Sequence, residues 1–435
     1  MNKSTDIISR KALPAALFTI FIDAVGIAIL IPVMIALVLP GKFQVIPSTW
    51  DVRDGFIMVA WLAGTFSLCT FLAAPILGQL SDNFGRKKIL SLSLLGTSIG
   101  YVIFALGVIY HSIPLLFLGR IIDGLTGGNI AIGRAIIADI STPKTRTRNF
   151  GLIGAMFGIG FVLGPYIGGR LSSPGIPLIN VAGHTFLTTP QWFSPATPFW
   201  FAAILAGINV LLATFVLPET LKHRANHVIQ WHRSFLNVKK GFTMPGIRNV
   251  LPVSFLFTAG FTFFTTFFSF SLVKRIPGFT PANVADYFSL IGIWIAVFQG
   301  GLIPIVAKKL KNHQVIRFSL FGASASVILI LTATTTKSAI FLSPFVPLFV
   351  ALTMANMISL ISSVADSKVQ GEVMGINSSV EALAQAIPAI LSGYIAGVAV
   401  WLPTVVSSVV LATAGILFWI LFKPSMIKQD HGFAE

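Results

Sequence analysis

Three carboxyl groups stand where a long apolar chain should have none. Asp23, Asp123 and Glu381 each lie roughly ten residues into an apolar run, which at 1.5 Å per residue places them about 15 Å along a helix. An ionisable group at that depth of a bilayer is costly and faces a cavity or a partner. Proton uptake and release is the chemistry such groups offer. Arg120 precedes Asp123 by three positions, so the two share a helix face and should pair. A carboxylate held by a guanidinium keeps its charge, which makes Asp123 the poorer proton carrier while the pair persists. Asp23 has no such neighbour in its own segment, and Glu381 sits among Asn377, Ser378 and Gln385. Asp23 and Glu381, with Asp123 as a third member, form the expected proton-coupling set, and Arg120 and Asp123 are expected to gate or bind. The plainer alternative is that these are satisfied structural carboxyls.

Nucleophilic and metal chemistry have less to work with. The seven histidines fall in loops, near helix ends or in the tail, and Cys69 has no evident base beside it; a nucleophile needs both a base and a cavity, so no enzyme is expected. A single cysteine excludes an intramolecular disulfide. His223, His227 and His232 are spaced for no tight site and have no cysteine or carboxylate to assist them, so neither a metal nor another cofactor is expected.

The elements that must position the carboxyls are membrane spans. Of 435 residues, 55% are hydrophobic and only 10% charged, with a mean hydropathy of +0.86; an ordinary globular chain is about one quarter charged. Spans of roughly twenty apolar residues cross a bilayer. They are placed at about 13–39, 55–80, 89–110, 114–140, 150–172, 197–217, 248–273, 284–307, 316–335, 339–362, 371–398 and 401–422. An all-α membrane protein of twelve transmembrane helices is therefore expected. The formal charge of +16 sits in short clusters between these runs, with no basic-aromatic stripe for a nucleic acid. Arg86, Lys87 and Lys88, then Lys144, Arg146 and Arg148, then Lys308, Lys309 and Lys311 mark alternate connections, while those between them hold little beyond Lys42, Arg53, Lys274, Arg275 and Lys337. The positive-inside rule puts both termini in the cytoplasm. The polar start, Met1 to Lys11, precedes an apolar run too long for a signal-peptide core, so no cleaved leader is expected.

The chain divides into residues 1–220, a linker at 221–247 and residues 248–435. The linker is basic and amphipathic, and is expected to lie on anionic headgroups with Trp231 and Phe235 dipping in. A shift of 223 carries Gly78 onto Gly301 and Pro165 onto Pro388, so the two six-helix bundles read as pseudo-symmetric repeats, a pattern of secondary transporters.

The densest glycine stretch is "GLIGAMFGIGFVLGPYIGG", residues 151–169. It lacks the preceding strand and the later acidic residue of a dinucleotide fingerprint. Gly160, Gly164 and Gly168 instead recur every four residues, a smooth stripe expected to let a helix of the other half pack closely, with Pro165 bending its own helix. Ordinary small-residue packing is the bland alternative. The connection "GQLSDNFGRKK" from Gly78 to Lys88 adds two glycines, a triple cation and one carboxylate, Asp82, able to cap a helix or pair with a cation.

Gly78, Leu80, Asp82, Gly85, Arg86 and Lys87 together resemble the signature loop of the major facilitator superfamily, and Gly151, Gly160, Gly164, Pro165, Gly168 and Gly169 fill its antiporter motif. "DAVGIAILIP" (Asp23 to Pro32), "RIIDGLTGG" (Arg120 to Gly128) and "LPET" (Leu217 to Thr220) extend the resemblance to the twelve-helix drug:proton antiporter branch, and within it to the tetracycline efflux proteins. It implies the major facilitator fold, a monomer in the lipid of a bacterial inner membrane, and a gating role for Gly78, Asp82, Gly85, Arg86, Gly160, Gly164, Pro165 and Gly168. The sharp motifs lie in the first half. In the second, "GLIPIVAKKLK" has Ile305 at the aspartate position and Lys308 at the second glycine; Ala28 and the outer loop 173–196 are further departures.

Proton-coupled export of a small amphipathic compound is the first expectation. A proton-coupled importer or facilitator of a small metabolite, such as an amino acid or a siderophore-like ligand, is the alternative, since a fold fixes neither cargo nor direction. The seventh span, with eight phenylalanines in the sixteen positions from Phe255 to Phe270, offers an apolar wall through residues such as Phe264 and Phe268. Gln299, Asn356, Asn377, Glu381 and Gln385, with Asp23, Arg120 and Asp123, are the expected polar substrate contacts.

Overall fold

The computed structural model describes residues 3–39, 41, 43–175, 177–181, 184–221, 224, 228–245, 247–364 and 370–422. Twelve helices are long and apolar enough to span a membrane: α1 (Lys11–Val38), α2 (Val52–Phe84), α3 (Arg86–Ile109), α4 (Ile113–Ile140), α5 (Leu152–Leu171), α6 (Thr197–Val216), α7 (Leu251–Arg275), α8 (Asn283–Val306), α9 (Asn312–Thr332), α10 (Thr336–Ile361), α11 (Val373–Val398) and α12 (Leu402–Leu421). Helices suit this solvent because each satisfies its own backbone groups. Polar residues close the exposed ends: Asp51 accepts from the Asp54 amide at the start of α2 at 2.9 Å, and Thr280 with Asn283 does the same before α8.

Packing repeats at an offset of six helices. α1 lies against α5 as α7 lies against α11; α3 packs on α4 and α6 as α9 packs on α10 and α12. Pro165 and Pro388 are internal to α5 and α11, equivalent helices. Between the first and last six helices the main seams are α2 with α11 and α5 with α8.

Two faces of the bundle follow from this connectivity. The chain enters α1 on one, here the linker face, which also carries the Phe84–Arg86 turn and a helix at Arg233–Thr243 between α6 and α7. The opposite, hairpin face carries an antiparallel pair within the long loop: β1 (Pro177–Val181) and β2 (His184–Thr188), with Pro177 opposite Thr188 and Val181 opposite His184. The all-helical expectation is thus right for the bundle and incomplete for that loop.

Several spans are not uniform. α4 breaks at Gly127 and Gly128 into helices Ile113–Thr126 and Asn129–Ile140, where one unbroken run was expected. α6 and α8 each contain a π-helical turn, Leu212–Val216 and Phe298–Leu302. Among the expected features, Lys42, His223 and His227 lie outside the described residues, as does the tail beyond Phe422.

Candidate functional site

The break in α4 opens a polar cluster inside the first six helices. Asn129, the first residue after it, is wholly buried and its Nδ2 donates to Asp23 Oδ1 at 3.1 Å and to Thr97 Oγ1 at 3.2 Å. Thr97 continues to the Thr126 hydroxyl at 3.4 Å. Nearly two turns back from Thr126 on α4, Arg120 Nη1 pairs with Asp123 Oδ2 at 2.9 Å, and its guanidinium lies 4.2 Å over the Phe66 ring. The expected i, i+3 pair therefore forms. Asp23, Arg120, Asp123 and Tyr101 are all buried, and the Tyr101 hydroxyl occupies the space that a side chain at Gly26 would need. Asn129 Oδ1 and Arg120 Nε have no protein partner among the described residues. Interrupted helices with free backbone groups are where transporters build such sites.

A second polar group lies across the bundle on α11. Asn377 Nδ2 donates to Glu381 Oε1 at 2.8 Å, and Ser254 of α7 donates to Asn377 Oδ1 at 3.2 Å. Ser378 is engaged elsewhere: its hydroxyl accepts from Arg134 Nη1 of α4 at 3.1 Å, so a first-half cation reaches the helix that carries Glu381. Gln385 is exposed, and Asn356 turns its amide to the Leu352 carbonyl of its own helix at 2.8 Å. Gln299 sits in the π-helical turn of α8, its Oε1 facing Gly158 of α5.

The aromatic wall divides. Phe264 lines a narrow crevice with Phe161, Phe261, Thr265, Phe288 and Val346, between α5, α7, α8 and α10. Phe268 is core: it is fully buried, stacks on Phe264 at 4.4 Å and meets Tyr287 at 5.7 Å.

The glycine stripe of α5 corrects an expectation. Gly160, Gly164 and Gly168 face α1, in the same half, where a methyl group would fall 2.8 Å from the Phe21 carbonyl at Gly160 and 2.6 Å from Ala28 Cβ at Gly164. Ala28, a departure from the resembled pattern, is itself the small residue that receives Gly164. The stripe fuses two helices of one half: at all three positions the nearest neighbours among the described residues belong to α1. Across the halves the close approaches come from different glycines: Gly64 of α2 against Ile390 and Ala386 of α11, Gly393 of α11 against Ala60 and the Phe56 carbonyl, and Gly292 of α8 against Val162 of α5.

These contacts seal the hairpin face. Trp61 Nε1 donates to the Tyr394 hydroxyl at 3.1 Å, Phe56 packs edge-on against Phe267 and Phe270, and Arg170 pairs with Asp286 at 2.7 Å, each joining first half to second. At the linker face Gly78, Gly154, Gly300, Gly301 and Gly375 have, among the described residues, nothing within 4 Å of the place a side chain would take. The tight contacts between the halves thus gather toward the hairpin face, and these linker-face glycines are not part of them.

The Phe84–Arg86 turn is tied down by charge. Asp82 pairs with Arg86 at 2.5 Å, and Arg86 also reaches Asp139 of α4 at 3.2 Å and Ser81 at 2.7 Å. Glu219 accepts from the amides of Arg86 at 3.0 Å and Lys87 at 3.3 Å, capping α3 from the end of α6. Gly85 has φ of 106°, and a side chain there would overlap the Glu219 carboxylate, so backbone geometry and space both require glycine.

A two-fold repeated helical bundle with polar groups buried in both halves defines a secondary-transporter architecture. The family model of the Major Facilitator Superfamily matches residues 16–389, and the chain belongs to that family. It is 32% identical over 310 residues to the class C tetracycline resistance protein of Escherichia coli, a match spanning 69% of this chain and 66% of that one. The class E protein is 29% identical over 75% of this chain and 73% of its own. Multidrug resistance protein 2 of Bacillus subtilis (strain 168) is 27% identical over 70% and 68%. Two solved structures share the fold: a human organic anion transporter at TM-score 0.70 and 22% identity, covering 94% of this chain and 99% of that one, and a D-xylose–proton symporter at 0.73 and 14%, covering 96% and 98%.

Proposed function

We propose that the protein is a proton-coupled antiporter that exports small amphipathic compounds, with residues 1–220 and 248–435 rocking about the seams that join them. The observation that carries this reading is the buried group of Asp23, Arg120 and Asp123. Two carboxylates and one guanidinium sum to a single negative charge, which one proton or one cationic ligand neutralises. A buried site that must bind one or the other before its charge is balanced couples the two by competition. Glu381, beside Asn377 and within the reach of Arg134 on the facing helix, is the second carrier. In the present arrangement both would exchange with the linker face; closing that face requires the α2/α11 and α5/α8 contacts of the hairpin face to part.

The linker face is assigned to the cytoplasm from its clusters of basic residues, with both termini there, in the inner membrane of a bacterial cell, as a monomer and without an enzymatic step. Gly78, Asp82, Gly85 and Arg86 act as the hinge of the gate. Gly160, Gly164, Pro165 and Gly168 contribute by keeping α1 and α5 one rigid body. The resistance proteins among the relatives favour export over metabolite import, because resistance means keeping a compound out. The test is exchange in proteoliposomes with an imposed pH gradient. Substrate should move against the proton flow, and Asp23→Asn with Glu381→Gln should abolish the gradient dependence. Substrate movement with the protons would establish the importer instead.

A further inference from the structure

The linker helix Arg233–Thr243 wears its faces the wrong way round for a helix packed on protein. Its buried positions are Ser234, Asn237 and Gly241, whereas Trp231 just before it is 73% exposed, Phe235 61% exposed and Phe242 also exposed. The inward face is polar because it meets polar partners. Ser234 donates to the Leu72 carbonyl of α2 at 3.3 Å, Asn237 Nδ2 donates to Ser379 Oγ of α11 at 3.0 Å, and Gly241 lies against Ile376 and Val380 of α11. Just upstream, the Gln230 amide donates to Gln79 Oε1 of α2 at 2.9 Å, and Phe235 meets Phe71 edge-on at 5.4 Å. The helix thus holds α2 with one edge and α11 with the other, at the linker-face end of the α2/α11 seam.

Its outward face has one fitting counterpart. Residues 221–248 contain Lys222, Arg224, Arg233, Lys239, Lys240 and Arg248, and the sequence has no acidic residue from 220 to 285. Aromatic side chains beside cations, carried at the end of membrane spans, match the boundary between acyl chains and anionic headgroups. We propose that this helix is a wedge between α2 and α11 whose outer face docks on anionic phospholipid, so that the charge of the surrounding membrane sets how long the linker face stays open. Closing that face brings the ends of α2 and α11 together, and the contacts at Leu72 and Ser379 cannot then both hold the helix between them. Lipid that grips the outer face stabilises the arrangement in which the helix bridges α2 and α11, by mass action.

The proposal needs no assumption about substrate or protons, and neither does its test. Full-length protein is placed in nanodiscs of phosphatidylcholine, with or without one third phosphatidylglycerol, and hydrogen exchange is followed at the amides of 230–243. Exchange should slow at least tenfold with phosphatidylglycerol, and Trp231→Ala with Lys239→Glu should erase the difference while the unfolding midpoint stays that of the wild type. Spin labels at Phe84→Cys and Gly375→Cys, in a Cys69→Ser background, report the separation of α2 and α11. The longer separation should gain population with anionic lipid, and Asn237→Ala should remove that gain without removing the slowed exchange. Equal exchange in both lipids would overturn the docking; slowed exchange with an unchanged distance distribution would overturn the wedge.

Discussion

Asn129 stands between two helices as a shared donor: one amide nitrogen lies 3.1 Å from Asp23 on α1 and 3.2 Å from Thr97 on α3. A buried carboxylate that loses such a donor forfeits roughly 1–3 kcal/mol in its charged form. Asn129→Ala should therefore slow proton-driven exchange on the order of tenfold, taking about 1.4 kcal/mol per decade. Initial rates in proteoliposomes check this, and a variant with wild-type rates at every imposed gradient would remove Asn129 from the site.

The Arg120–Asp123 pair predicts an asymmetric response. Breaking a buried ion pair from one side leaves an uncompensated charge and costs about 3–5 kcal/mol. Arg120→Ala should lower the thermal unfolding midpoint strongly in detergent, and adding Asp123→Asn should recover much of the loss. Transport should fail in both. Equal midpoints for the single and double variants would mean that Asp123 does not depend on Arg120 for its place.

How much of this was legible in the sequence depends on the kind of residue. Apolar runs of membrane length gave all twelve spans, because hydrocarbon admits few alternatives to a helix. The carboxyls Asp23, Asp123 and Glu381 announced themselves by the cost of placing charge at depth. Arg134 carried the same signal, a lone cation in "NIAIGRAIIADI", yet its neighbour on the facing helix came only from the structure. Asn129, Thr97 and Tyr101 were hidden because uncharged polar residues are common in helices, and only three-dimensional convergence distinguishes them. The glycine stripe shows the opposite error. Spacing every four residues says that something lies close, but not which helix, and here the answer was α1 rather than the far half. The break at Gly127 was masked by the continuous hydropathy of its flanks.

The two sets of glycines separate folding from movement. Gly164→Leu forces a side chain into Ala28 and the α1 backbone within one half, and overpacking of this sort costs roughly 1–3 kcal/mol. Its effect should fall on the unfolding midpoint and on yield. Gly393→Leu acts at the seam with Ala60 and Phe56, where the halves need to meet only while the hairpin face is shut. It should leave the midpoint nearly unchanged, hold the hairpin face ajar and reduce exchange severalfold. Midpoints and initial rates for the two variants, side by side, decide it: a seam variant that unfolds like Gly164→Leu would mean that the seam belongs to the permanent core.

The Arg170–Asp286 bridge offers the cleanest handle on that same closure. It joins the end of α5 to the start of α8 at 2.7 Å, with Asp286 about half exposed. Solvent screening limits such a pair to about 0–1 kcal/mol, too little to matter for folding. Between two arrangements of nearly equal free energy the same amount shifts the populations up to about fivefold. Asp286→Arg should place like charges face to face and raise the labelling rate of Ser289→Cys, a buried position about one turn along α8 from the bridge. Arg170→Asp combined with Asp286→Arg should restore the slow rate, because the attraction returns with its signs exchanged. Labelling by a membrane-impermeant thiol reagent in a Cys69→Ser background measures both, and fast labelling in the double reversal would show that the bridge is only a bystander at the closed face.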